Sequence, residues 1–183
     1  TCRQAPLESP VMKILWFLAL LVVVLALALI IAGQMGLLAG KAPSRLSVTD
    51  GRLKPPSSTP NSVSSQASLY PDHPQQAYAA IAPLTFKGDG EAAIKQLAQV
   101  LTQMPGTVIV TQNADYLYAQ STTALLKFTD DVEFWLDKPN NVIQARSSSR
   151  LGRKDFGVNR ARVEAIRAAF IEVNSKTPEL LHK

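Results

Sequence analysis

A single cysteine, Cys2, is all the thiol chemistry this chain carries. An internal disulfide is therefore excluded, and so is a zinc site built on thiolates. The compartment stays open, because a cytoplasmic domain and a small periplasmic domain with an adequate core can both do without disulfides. Histidine is nearly as scarce: His73 and His182 lie far apart, and His73 sits near prolines in a polar stretch where it reads as solvated. A serine hydrolase needs an activated serine beside a base, yet no histidine falls in a motif and no G-x-S-x-G occurs. The net charge is only +5, which suits a weak preference for anions or anionic lipid and no more. No internal repeat is present.

What the chain does have begins with an apolar run. Ile14 to Ala32 is 19 apolar residues without a charge. At 1.5 Å per residue this length just crosses a hydrocarbon core of about 30 Å. A cleavable signal has a shorter apolar region, so an uncleaved anchor is the better reading, although Ala39-Gly40 offers a cleavage site. No polar face exists, which argues against a buried globular helix. Met12-Lys13-Ile14 resembles a start, and residues 1–11 read as an upstream segment set aside from the fold. The anchor is thus expected over 12–34, a Pro/Ser-rich tether or arm over 35–78, a globular domain over 79–177 and a tail over 178–183. Lys13 precedes the span, whereas Lys41, Arg45, Arg52 and Lys54 follow it. The positive-inside rule alone keeps the domain in the cytoplasm, and a very short N-terminal tail argues the other way.

From Ile81 the pattern becomes globular. Asp89 is placed to cap a helix whose Ile94, Leu97, Ala98 and Leu101 share a face, and Pro105-Gly106 stops it. TVIVTQ and DYLYAQ read as two strands joined through Asn113-Ala114. In LLKFTDDVEFWLD, the residues Leu126, Phe128, Val132, Phe134 and Leu136 alternate onto one face, interrupted by Asp130. If KPNN (138–141) is a hairpin loop, Leu136 faces Ile143, Phe134 faces Ala145, Glu133 faces Arg146 and Asp130 faces Ser149. Trp135 then projects on the Glu133 face, where a partner contact is one reading and cover by a second layer or by the N-terminal arm is the better one. A last helix is expected from about Val158 to Ser175, with Val163, Ile166, Phe170 and Val173 as its core stripe and Asn159 near the centre of that stripe. Arg160, Glu164 and Arg167 line one flank at pairing distance. The expected class is α+β: an antiparallel sheet of about four to five strands with two helices packed on one face, preceded by one N-terminal transmembrane helix.

PNSVSSQA (60–67), FTDDVEFWLD (128–137) and RSSSRLGRKDFGVNRARVEAIR (146–167) together resemble the bacterial and plastid family known as domain of unknown function 1499. The similarity covers about residues 60–175. The resemblance implies a small domain, often behind an N-terminal membrane segment or targeting sequence, with no assigned biochemistry. It favours a bacterial inner-membrane protein with its soluble domain in the periplasm. Two positions depart from the family pattern. Ser62 stands where cysteine commonly follows Pro-Asn, so thiol chemistry proposed there is closed to this chain. Arg153-Lys154 stands where an aromatic residue and serine usually follow the glycine.

The stretch 146–167 holds seven Lys/Arg and two acids. The hairpin register carries Ser147, Ser149 and Asp130 to one sheet end, and the short loop 150–157 brings the start of the last helix to the same place. Asp130, Ser147, Ser149, Arg150, Asp155, Asn159 and Arg160 form the candidate site. Free helix N–H groups and these cations suit a phosphate, a carboxylate or a lipid headgroup. The same residues also suit a locked polar network: Asp155 capping the loop, Gly157 or Asn159 starting the helix, Gly152 at positive φ, and Asp130 paired with Arg150 or Arg160. A non-catalytic domain that binds an anionic small molecule, a lipid headgroup or a membrane protein partner follows from the first reading. An enzyme with Asp130 or Asp155 as general base, and a structural subunit of a membrane complex, are the alternatives. Asp130, Asp131 and Glu133 do not make a metal site, because Asp130 points away from the other two unless a bulge intervenes. No cofactor is called for. Nucleic acid is disfavoured: few aromatics interleave the basic residues, Glu164 engages Arg160 and Arg167, and the chain carries a membrane span.

Overall fold

The computed structural model describes residues 9–180. It bears out the α+β class, with an antiparallel sheet and an apolar N-terminal helix that could span a membrane. Helix α1 runs from Pro10 to Gln34. Ser9 caps it by accepting a bond from the Met12 N–H, and proline opens its first turn, where no intrahelical partner is lost. Twenty-five residues give a rod of about 37 Å.

The soluble part follows as β1 (Ser62–Ser64), a 3-10 turn at Ala67–Leu69, α2 (Gln76–Ala79), β2 (Leu84–Thr85), α3 (Gly90–Gln103), β3 (Thr107–Gln112), β4 (Tyr116–Thr122), β5 (Thr129–Asp137), β6 (Val142–Ser149) and α4 (Val158–Leu180). The sheet has six strands in the order β1-β6-β5-β4-β3, with β2 also paired to β6. The expected four to five strands thus fall short. The missing short strands, β1 and β2, lie along the outer edge of β6 and have little apolar alternation to announce them. The segment 35–78, expected as a tether or arm, supplies β1, so part of it is built into the domain.

Asp89 caps α3 through the Ala92 N–H at 2.7 Å, as its position suggests. The β5–β6 register matches expectation throughout: Leu136 faces Ile143, Phe134 faces Ala145, Glu133 faces Arg146 and Asp130 faces Ser149. Leu126 and Phe128 do not join that strand. The chain turns between Thr122 and Thr129, where Lys127 takes φ 56°, so β5 starts later than the apolar alternation suggests. Helix α4 runs on to Leu180, past the expected Ser175. The last residues of the expected tail lie outside the described residues.

One face of the sheet carries the core. Leu117, Ala119, Val132, Phe134, Ile143 and Ala145 meet Ile94, Leu97 and Leu101 of α3 and Val163, Ile166 and Phe170 of α4. The other face is polar yet buried, because an arm lies over it. Leu53 is buried; its N–H donates to Gln66 Oε1 at 2.8 Å, and Gln66 Nε2 returns a bond to the Gly51 carbonyl at 2.9 Å. The arm's Pro55 carbonyl accepts from Arg146 Nε, and Gly51 backs onto the half-buried Trp135. Covering of Trp135 by the N-terminal arm is one of the alternatives that the sequence leaves open.

Candidate functional site

The alternation of β6 decides which candidates can meet. Ser147 and Ser149 lie on the core face, whereas Arg146, Ser148 and Arg150 lie on the other. The seven candidates therefore divide between two sides of the sheet.

On the core side, Asn159 is the centre. It is fully buried at the start of α4. Its Oδ1 accepts from Ser147 Oγ at 2.5 Å and from Arg162 at 2.8 Å. Its Nδ2 lies within bonding distance of Asp155 Oδ2, Ser149 Oγ and the Asn61 carbonyl, at 2.8, 2.9 and 3.0 Å. Asp155 receives the Asn159 N–H on Oδ2 and the Gly157 N–H on Oδ1, and the Tyr78 hydroxyl also donates to Oδ1. Burial opposes ionisation of Asp155, but the bonds from Tyr78, Gly157 and Asn159 outweigh it and hold the carboxyl below its ordinary value. Tyr78 is pushed up in turn, first by burial and then by the carboxylate it serves.

Asp130 pairs with Arg162, at 2.6 Å, and with neither of the arginines expected. The reason is geometric. Arg162 lies one turn after Asn159 on the same helix face, Arg160 sits on the flank, and Arg150 points through the other side of the sheet. Arg160 instead donates to the Ala80 and Tyr78 carbonyls at 2.9 and 2.6 Å, binding the 78–80 strip to α4. It makes no ion pair with Glu164, which pairs with Arg167 at 2.8 Å.

On the arm side, Arg150 forms a two-pronged bond to Asp131, 2.7 Å to Oδ1 and 3.0 Å to Oδ2, and also donates to the Tyr118 hydroxyl. The carboxylate raises Arg150 further above its ordinary value. Next to it Glu133, fully buried, meets Arg146 at 3.1 Å and accepts from Tyr116 at 2.8 Å. Burial raises Glu133, and Arg146 opposes the shift.

These networks hold the cations that the sequence offered to a ligand. The open feature lies beside them. Pro60, Tyr78, Lys154, Phe156, Gly157 and Arg160 line a groove of about 360 Å³ with mostly apolar walls. Phe156 is 92% exposed and takes φ 52°, a left-handed conformation costly for an aromatic residue. Both neighbours explain how it is held there: Asp155 is anchored by four bonds and Gly157 takes φ 84°. Lys154 is exposed at the groove's rim.

Arg162, Asn61, Tyr78 and Phe156 were not among the sequence candidates. Arg162 was findable from its spacing to Asn159. Asn61 lies in the PNS motif; its Nδ2 donates to the Gly152 carbonyl at 2.7 Å, and its Oδ1 is buried without a partner. Tyr78 meets Asp155 across 77 residues and carries no local signal. Among the described residues no group of three metal-ligating side chains comes together.

The polar knot thus joins the motifs at 60–67, 128–137 and 146–167 in one place. No curated protein and no solved structure matches the chain. The sequence profile of one family matches residues 52–170, from the arm through most of α4. The chain belongs to that family, described as protein of unknown function, DUF1499.

Proposed function

We propose that this is a membrane-anchored, non-catalytic domain that binds an amphiphile with an anionic head, such as a lipid, in the groove beside Asp155. The observation that carries the reading is Phe156, held exposed in a left-handed turn between Lys154 and Arg160. An exposed aromatic on a fixed turn offers an apolar contact, and Lys154 offers the counter-charge. Asp155 and Asn159 fix the turn that carries Phe156, Asp130, Ser147 and Ser149 are tied into the same network, and Arg150 stiffens the sheet from behind. Arg160 contributes both a wall and the tie to the 78–80 strip.

An enzyme using Asp155 as a base is the weaker reading. Four donors occupy its two oxygens, which leaves no lone pair for a substrate proton. An anchor through residues 14–32 and a protein partner in the same membrane are compatible with binding at the groove.

The test is thermal unfolding of the full chain in zwitterionic detergent. Dihexanoyl phosphatidylglycerol raises the melting temperature, dihexanoyl phosphatidylcholine and inorganic phosphate raise it less, and Phe156→Ser with Lys154→Gln abolishes the rise. Equal shifts in wild type and variant would count against the groove. We place the domain on the periplasmic side of a bacterial inner membrane. Protease added to intact spheroplasts then digests it; protection puts it on the cytoplasmic side, where Lys41, Arg45, Arg52 and Lys54 would obey the positive-inside rule.

A further inference from the structure

The end of α1 is fixed to the domain. Gln34 Nε2 donates to the Leu125 carbonyl at 3.0 Å. Gly33 is buried, and a Cβ there would sit 2.5 Å from the Leu126 carbonyl oxygen, so only glycine lets helix and loop approach this closely. At Gly40, just beyond the helix, a Cβ would sit 2.7 Å from the Arg150 Cβ and 3.0 Å from the Leu151 Cγ. The partners are two loops, 123–128 between β4 and β5 and 150–157 between β6 and α4. The strand register puts both at one end of the sheet, because Thr122 faces Thr129 and Asp130 faces Ser149.

The apolar run of α1 ends at Ala32, so Gln34 lies about 3 Å further along the axis. A loop bonded to Gln34 therefore lies at headgroup level when the run fills the hydrocarbon. The surface it shows there fits that depth. Leu125 is 59% exposed and Leu151 43% exposed. Lys127 and Arg153 stand beside them, loop 123–128 contains no acid, and the single acid of loop 150–157, Asp155, is buried. Exposed leucines with cations and no outward carboxylate make a surface for an anionic interface, not for bulk water.

From this geometry we infer that the two loops form a seat on the bilayer. Leu125 and Leu151 dip into the headgroup layer and Lys127 and Arg153 meet anionic lipid, so the domain rests on the membrane instead of swinging on a tether. The inference rests on α1 being an anchor, and the test separates the two.

Spin labels are placed one at a time on a Cys2→Ser full chain in nanodiscs of phosphatidylcholine, with and without phosphatidylglycerol. The positions are Leu25→Cys in α1, Leu125→Cys and Leu151→Cys in the seat, and Asn140→Cys in the hairpin loop at the opposite sheet end. The readout is the collision rate with oxygen against that with a water-soluble nickel chelate. The expected order of lipid depth is Leu25, then Leu125 and Leu151 together, then Asn140 in water. Phosphatidylglycerol deepens the two seat positions, and Lys127→Glu with Arg153→Glu removes that dependence. If Leu25 is in lipid while Leu125 and Leu151 read like Asn140, the anchor stands and the seat is wrong. If Leu25 itself reads as aqueous, the anchor reading fails and takes the seat with it.

Discussion

Asp155 and Asn159 show how much one pair of side chains can fix. Between them they bind the loop before α4, the first turn of α4, strand β6, the segment leading into β1 and Tyr78. Replacing Asn159 by alanine leaves several buried groups without partners, so a loss of ~3 kcal/mol is expected in urea unfolding of the detergent-solubilised chain. Asp155 adds a pH dependence whose sign is fixed. Its folded-state pKa lies below the ordinary carboxylate value, so its contribution is complete at neutral pH and is lost as pH falls through the folded value. Wild type should lose stability as the pH falls below the ordinary carboxylate value, and Asp155→Asn, weaker at neutral pH, should lose less there. The sequence showed that Asp155 and Asn159 sit at a loop and a helix start. It did not show which cation would meet Asp130, because Arg150, Arg160 and Arg162 are all near in sequence and only strand alternation and helix phase separate them.

At the scale of elements, the β5–β6 hairpin is the most legible part of the fold. KPNN set the register, and the register set every facing pair from Leu136–Ile143 to Asp130–Ser149. The same alternation sends Arg150 to the opposite face, which divides the expected cluster. It also creates the Glu133–Arg146 pair under the arm. Removing one partner leaves a buried charge alone, so Arg146→Ala is expected to cost roughly 3–5 kcal/mol, while Glu133→Leu with Arg146→Met recovers most of it. A double-mutant cycle in urea measures both. The turn after α3 is equally specific. Gly106 takes φ 70°, and a Cβ there would collide with the Thr122 carbonyl oxygen. Gly106→Ala should therefore lose ~2 kcal/mol or more, read as a fall in the urea midpoint.

Across the whole molecule, the segment between α1 and the sheet is the hardest to read. Its proline and serine content suggests a tether or an extended arm without deciding between them, because composition registers apolar burial and misses hydrogen bonding by backbone. In the fold, Leu53 is buried, Gln66 clamps Gly51 and Leu53, and Ser62–Ser64 pairs with β6. The arm is thus a second layer over a sheet face whose buried charges would otherwise face water. Leu53→Ala should cost about 2–4 kcal/mol, a value expected for a core position and not for a linker.

In the proposed reading the polar knot is a rigid support and the groove beside it is the binding surface. Amide hydrogen exchange of the full chain in detergent, with and without dihexanoyl phosphatidylglycerol, tests it most directly. Added protection is expected only at residues 153–157 and in the neighbourhood of Tyr78, with the start of α4 at Asn159 already slow and unchanged. Exchange that is unaltered across 153–157, or a ligand effect centred on Ser147 and Asn159, would contradict it.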